Sequence, residues 1–311
     1  MDNYIDIQNL YKLYSRGRSK FTALDDVNLK IGTGMFGLLG PNGAGKTTMM
    51  KILATLLKPT SGKVSIYGYD LFKKRKKIRR LLGYLPQEFG VYPQLYAQEF
   101  LDYIARLNGL KDRKARKAEV DRIMSLTNLD DLKNRKVKTF SGGMVRRLGI
   151  AQALVGSPRL LIVDEPTTGL DPEERIRFRN LLSEISGQMA IILSTHIVND
   201  ISSTCNNLAI IHQGKIVYCD TPAKLLNNAR GKTWILKIAH NELKHIKENV
   251  SIISMVMQPE HVEVRVVAEE VNGFSAEKVE PNMEDAYIYF MEIQTGTKLH
   301  EYEELYNTQA N

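Results

Sequence analysis

Two short stretches of this 311-residue chain carry side chains whose types and spacing could do phosphate chemistry. The first is Gly40-Pro41-Asn42-Gly43-Ala44-Gly45-Lys46-Thr47, followed by Thr48, which fits the spacing G-x-x-x-x-G-K-[ST]. Its glycines let the backbone wrap so that successive amides face phosphate oxygens. A helix opening near Lys46 would add the positive end of its dipole. Lys46 has the reach for the outer phosphates of a nucleotide, the Thr47 hydroxyl can ligate Mg2+, and Thr48 adds a phosphate hydrogen bond. The second stretch is Leu160-Leu161-Ile162-Val163-Asp164-Glu165, an apolar run ending in two carboxylates. Beside a bound nucleotide, Asp164 would hold Mg2+, directly or through water, and Glu165 would activate a water for attack on the terminal phosphate. Such a run says little alone; paired with the upstream loop, it points to nucleotide hydrolysis.

These residues need strands that end where they begin. Met35–Leu39 is a short apolar run feeding the loop, and Lys46–Leu57 places Met49, Ile52, Leu53 and Leu56 at helical spacing before Lys58-Pro59-Thr60-Ser61-Gly62 stops it. Tyr4–Ile7, Ala23–Ile31 and Lys63–Tyr67 have strand character. From Asp70 to about Val137 the chain is polar, basic and reads as mostly helical, with amphipathic stretches at Gln98–Leu107 and Ala118–Leu126. Leu160–Val163 and Ala190–Ser194 are apolar runs between helical segments, the pattern of parallel strands at the centre of an α/β sheet. Leu208–Ile211 and Lys215–Tyr218 read as a hairpin, and Thr221-Pro222 opens a last helix of the main domain. Beyond Gly231 come strands at Thr233–Ile238, Val250–Met257 and His261–Val267, a short helix at Glu242–Lys247 and another around Glu284–Ile293. Alternating Val262, Val264 and Val266 mark a half-buried strand.

Phe140-Ser141-Gly142-Gly143-Met144 lies 20 residues ahead of the acid strand. Ser141 reads as an N-cap, and Met144, Leu148, Ala151 and Val155 form one apolar face of the helix it opens. Bare amides at that helix start make an anion site; a well-capped core helix explains the same residues. Placed between the two phosphate motifs, this segment resembles the signature of the ABC ATPases. The resemblance covers about Tyr4 to Arg230. It implies a P-loop NTPase cassette of ABC type at 1–230, with a mixed central sheet, an antiparallel β subdomain and an inserted helical subdomain at about 88–157. A small C-terminal α+β domain at 231–295 and a flexible tail at 296–311 would follow.

The resemblance also implies roles, residue by residue. Tyr14 would lie against adenine, Gln87 would touch Mg2+ and the attacking water, and His196 would contact the γ-phosphate. Ser141, Gly142, Gly143 and Met144 would act on the ATP of a second chain, and Asp171, in Thr168-Gly169-Leu170-Asp171, would sit in a loop crossing to it. The catalytic set is then Glu165, His196 and Gln87, with Thr47, Gln87 and Asp164 around Mg2+. Phe140 replaces the family's commoner leucine, and Tyr96-Ala97-Gln98-Glu99 lacks the usual threonine; neither touches the chemistry.

Composition narrows the setting. With 43% hydrophobic and 25% charged residues, the chain is globular rather than disordered or fibrous. No apolar run approaches the roughly 18–20 residues that span a bilayer, and the first residues lack the features of a signal peptide. A cytosolic setting is therefore expected. Cys205 and Cys219 lack metal-ligand spacing and read as buried or idle thiols. Residues 231–311 hold 7 basic and 14 acidic side chains, leaving 36 basic and 21 acidic in front of them. A basic front and an acidic tail suggest two domains with different partners. The run Lys73-Lys74-Arg75-Lys76-Lys77 could meet anionic lipid or acidic loops of a membrane partner. The leading expectation is an ATPase subunit at the cytoplasmic face of the membrane. It would pair with a second ATP-binding subunit, identical or not, to drive a separately encoded permease, in the exporter branch that includes multidrug and antibiotic efflux. The alternative is a soluble ABC ATPase acting on ribosomes or nucleic acid; no interleaved aromatic and basic platform supports it, and no nucleic-acid partner is expected.

Overall fold

The computed structural model describes residues 4–17, 19–243, 246, 250–271 and 273–296, which fall into two compact units, Met1–Cys219 and Asp220–Asn311. In the first unit the chain runs through β1 (Ile5–Arg16), β2 (Ser19–Ile31), β3 (Met35–Leu39), α1 (Lys46–Leu53), β4 (Ser61–Ile66), β5 (Tyr69–Asp70), α2 (Arg75–Arg79) and β6 (Leu82–Leu85). Three helices follow, α3 (Ala97–Leu107), α4 (Arg113–Leu126) and α5 (Gly142–Leu154), then β7 (Leu160–Asp164), α6 (Pro172–Ser186), β8 (Ala190–Thr195), α7 (Val198–Ser202), β9 (Asn207–His212) and β10 (Lys215–Asp220).

Two sheets form. One is antiparallel, in the order β2-β1-β4-β5; the other has the order β10-β9-β3-β8-β7-β6. Within the second, β9, β3, β8, β7 and β6 are mutually parallel neighbours. Every residue of β3, β7 and β8 is buried, because helices cover both faces of the central strands; this is why they read as continuous apolar runs rather than alternations. Leu38, Ile162 and Ile192 of these strands pack with Met49, Met50, Ile52 and Leu53 of α1 in one core that reaches into the antiparallel sheet at Ile5, Ile7 and Val64. At roughly 25 cal/mol per Å² of apolar surface, burial on this scale is what holds the loops at the strand ends in place. The expected α/β architecture, with its mixed and antiparallel sheets and helices between β6 and β7, is the one found.

Three details differ from the sequence reading. The block from Asp70 onward is not all helix: Leu82–Leu85 is a sheet strand, paired in parallel with β7. The first hairpin is far longer than Tyr4–Ile7 suggested, pairing through Tyr14↔Phe21 to Arg16↔Ser19. The helix opened by Thr221-Pro222, α8 (Pro222–Asn228), packs in the second unit against the C-terminal helix α9 (Met283–Thr295).

The second unit carries a four-stranded antiparallel sheet of β11 (Thr233–Ile238), β12 (Ser251–Met257), β13 (Val262–Val267) and β14 (Ser275–Lys278), in the order β12-β13-β11-β14. Val262, Val264 and Val266 are fully buried with Leu236 and Ile238, as their alternation predicts. Asn282 caps α9, and the Arg265 guanidinium reaches the buried Asp285 carboxylate through Nε at 2.9 Å and Nη2 at 2.6 Å. That bidentate bond raises the Arg265 pKa further. Half of the helix expected at Glu242–Lys247 (residues 244, 245 and 247), and the tail expected to be flexible apart from Gly296, lie outside the described residues. Among the described residues no helix is long and apolar enough to cross a membrane.

Candidate active site

Parallel strands deliver their C-terminal ends to one edge of the sheet, and register decides which residues meet there. Leu39 pairs with Thr195, Asp164 with Ser194, and Leu85 with Val163. The loop after β3, the acid pair ending β7, His196 after β8 and Gln87 after β6 are thereby brought side by side. This is the edge where open α/β sheets take ligands.

The loop leaving β3 is shaped by close approach. A Cβ on Gly40 would lie 2.3 Å from the carbonyl oxygen of Ile211. Gly45, at φ 110°, would put one 2.5 Å from that of Ala23, so both positions require glycine. Gly45 caps α1, and Lys46 and Thr47 occupy its first turn. Lys46 is buried; its ammonium donates to the carbonyls of Gly40 at 2.8 Å and Pro41 at 3.0 Å and lies 3.1 Å from Glu165 Oε1.

The acid pair is held from several sides. Asp164 is fully buried; its Oδ1 accepts a short bond from the Ser194 hydroxyl and one of 3.4 Å from Thr47 Oγ1. Its other oxygen, Oδ2, is buried with no hydrogen-bond partner among the described residues. Burial raises the Asp164 pKa, with the Glu165 charge adding to it; bonds from Ser194 and Thr47 and the nearby Lys46 oppose the shift only in part. Glu165 adopts a left-handed backbone, φ 45°, a conformation that costs a non-glycine residue roughly 1 kcal/mol or more. Its amide donates to the Ser194 carbonyl at 3.0 Å, which holds the turn. Its Oε2 faces Gln87 Nε2 at 3.4 Å and His196 Nδ1 at 3.2 Å. Three predicted residues, from three different loops, thus converge on the carboxylate of a fourth.

These residues fit a magnesium ion. Asp164 offers a buried carboxylate oxygen without a partner among the described residues, and the Thr47 hydroxyl lies against its other oxygen. A few hard oxygen donors suit an ion that keeps its waters and takes the rest of its shell from phosphates.

A cavity of about 550 Å³ opens over this edge. Asn42, Gly43, Gly45, Lys46, Thr47, Thr48, Gln87, Glu165 and His196 line it, all of them residues marked in the sequence. Tyr14 stands at its margin, 40% exposed, its hydroxyl 3.5 Å from Thr48 Oγ1. Ser141, Gly142, Gly143, Met144 and Asp171 are not part of the lining. Ser141 caps α5, accepting from the Met144 amide at 3.3 Å, and Asp171 caps α6, accepting from Glu174 at 2.9 Å.

Sequence reasoning missed four contributors. Phe21 lines the cavity, directly across the hairpin from Tyr14 and on the same face. Ser194 holds Asp164 and Glu165 together. Asp200, fully buried, accepts from Thr167 Oγ1 at 2.5 Å and Thr195 Oγ1 at 3.5 Å, tying the segment after Glu165 to the one before His196. Arg146 donates to the Gln87 carbonyl at 2.8 Å. Only Ser194 carried a signal, as the polar residue closing an apolar run.

Comparison with known proteins gives the family and agrees with the fold. The ABC transporter family profile matches residues 24–168. The uncharacterized ABC transporter ATP-binding protein YxlF of Bacillus subtilis (strain 168) is 41% identical over 58% of this chain, which spans 59% of that relative's length. The linearmycin resistance ATP-binding protein LnrL of the same organism is 30% identical over 91% of this chain and 97% of its own. Among solved structures, the ATP-binding cassette MJ0796, as a dimer in a post-hydrolysis state bound to ADP and Pi, matches with a TM-score of 0.64 and 27% identity. That match covers 70% of this chain and 98% of the other. With the family profile, a relative matched over nearly its whole length and a cassette fold in agreement, the chain belongs to the ABC transporter ATP-binding family.

Proposed function

We propose that this chain is the ATP-hydrolysing subunit of a membrane exporter. It would form a dimer around two ATP molecules at the cytoplasmic face of the membrane and drive a separately encoded permease. The observation that carries the reading is the convergence of Lys46, Gln87 and His196 on the Glu165 carboxylate at the end of β7.

In this reading the loop amides and Lys46 bind the β- and γ-phosphates, and Tyr14 meets the adenine. Thr47, Asp164 and Gln87 would hold Mg2+, which would neutralise charge on the phosphate oxygens. Glu165 accepts a proton from the attacking water, Gln87 and His196 orient that water and the γ-phosphate, and the products are ADP and phosphate. The chain carries one set of motifs, and the Ser141–Gly143 helix end lies outside its own cavity. A second chain, identical or not, therefore supplies that anion-binding end to each ATP. The ATP between the halves ties them together, and hydrolysis followed by departure of the phosphate releases the tie. The dimeric state of the MJ0796 cassette supports a two-chain unit, and the antibiotic resistance in the name of LnrL supports the exporter branch.

The experiment is capture of the tagged full chain from detergent-solubilised membranes, with the co-purifying proteins identified by mass spectrometry. A stoichiometric polytopic membrane protein is the expected result. Ribosomal proteins or nucleic acid, with no membrane protein, would overturn the transporter reading.

A further inference from the structure

The helix that opens with Ser141 also grips the loop that carries Gln87. Arg146, in the second turn of α5, donates from Nη1 to the Gln87 carbonyl at 2.8 Å. Its guanidinium carbon lies 5.9 Å from the centre of the Phe89 ring. One turn further along the same face is Gly149, where a Cβ would stand 2.4 Å from Phe89 Cζ and 2.7 Å from Cε1. The ring therefore sits directly on the helix backbone, in a notch that only glycine leaves open. The loop is fixed at two points, by a charge-assisted hydrogen bond at residue 87 and a ring contact at residue 89. Burial lowers the Arg146 pKa, so the guanidinium gives up hydration to make this bond.

From Gln87 the contacts continue to the reacting centre, because its Nε2 reaches Glu165 Oε2 at 3.4 Å. An unbroken path thus runs from the Ser141 end of α5, through Arg146 and Gln87, to the base. In the proposed dimer the two ends of that path serve different nucleotides. Gln87 and Glu165 act on the ATP held by their own chain, and Ser141–Gly143 faces the ATP held by the other.

We propose that Arg146, with Phe89 seated on Gly149, is a positioning residue that makes the Gln87 loop and the Ser141 helix a single moving part, and so couples the two ATP sites. The inference rests on the dimer reading. Coupling between sites needs an element whose arrangement both ligands bias, and a clamped helix and loop is such an element.

The test uses the full-length chain and its Arg146→Met, Arg146→Lys and Phe89→Leu variants, measuring hydrolysis against MgATP concentration. ADP affinity, which reports one chain's own pocket, is measured alongside. With two coupled sites the Hill coefficient lies between 1 and 2. Arg146→Met is expected to bring it to about 1 and lower kcat several-fold, while ADP affinity stays within about twofold. Arg146→Lys, which keeps a cationic donor, is expected to restore much of the coefficient. Phe89→Leu, which empties part of the Gly149 notch, is expected to lower it partway, and it serves as the test should Arg146→Met fail to fold. A folded variant with normal ADP affinity and the wild-type coefficient, whatever that value, overturns the inference. Failure of the Glu165→Gln chain to dimerise with MgATP would instead overturn the dimer reading, and this inference with it.

Discussion

Replacing Glu165 with glutamine removes one charge at nearly constant size, and the structure sets the scale of two separate consequences. The Lys46 ammonium and Glu165 Oε1 are 3.1 Å apart, with side-chain exposures of 3% and 6%. At that separation and an effective dielectric of about 20, the gross attraction is about 5 kcal/mol. A glutamine carbonyl keeps a hydrogen bond from the ammonium worth about 2 kcal/mol, so the nucleotide-free fold loses at most about 3 kcal/mol. For a domain of this size that lowers Tm by roughly 6–12 °C. Nucleotide phosphates supply Lys46 with a new counter-charge, so MgATP stabilises Glu165→Gln more than wild type and narrows the gap. The second consequence is catalytic. Without the base, turnover falls by roughly 10²–10⁴-fold while ATP binding survives, and the ATP-bound dimer accumulates. Thermal denaturation with and without MgATP, phosphate release and sedimentation read these effects independently. Hydrolysis at the wild-type rate removes Glu165 as the base. An unchanged Tm with an unchanged MgATP shift removes the ion pair as its counterweight.

Asp164 has its folded-state pKa raised by burial, so the folded chain holds this proton more tightly than the unfolded chain does. Its contribution to stability is fully present below the ordinary aspartate pKa and is lost as pH rises through the raised value. Asp164→Asn is therefore expected to flatten the fall in Tm with pH across that window in the absence of Mg2+ and nucleotide; a profile superimposable on wild type would contradict the buried, unsatisfied carboxylate. Phe21 lines the cavity while Tyr14 stands at its margin, so Phe21→Ala is expected to weaken nucleotide binding about 5–150-fold by titration, the scale of one base–aromatic contact. A loss confined to Tyr14→Ala would put the adenine over Tyr14 alone.

The parts of this molecule that were legible in sequence are those whose physics is local. A phosphate loop must be glycine-rich where backbone meets backbone, and a strand buried on both faces must be apolar throughout, so Gly40–Thr47, Leu160–Asp164 and Ala190–Thr195 announce themselves. Leu82–Leu85 did not. It is four residues long, includes a glycine because a Cβ at Gly83 would meet the Ala153 carbonyl at 2.2 Å, and follows seven basic side chains in Lys73–Arg80. Nor did the outer half of the first hairpin, where exposed Lys20 and Phe21 follow no core-facing alternation. At the site the same division holds. Lys46 opens a helix behind a glycine loop, and Asp164, Glu165 and His196 lie at or just past strand ends, where type and position together carry meaning. Asp200 and Arg146 act through contacts 33 and 59 residues away in the chain, and nothing adjacent to either residue marks it. Those two join the loops to one another rather than to the nucleotide. A local pattern can thus name the groups that touch the nucleotide, whereas how those groups move together is written in tertiary contacts. The Arg146 variants probe that second layer, because they leave the phosphate-binding residues unchanged and alter how the Gln87 loop is joined to the Ser141 helix.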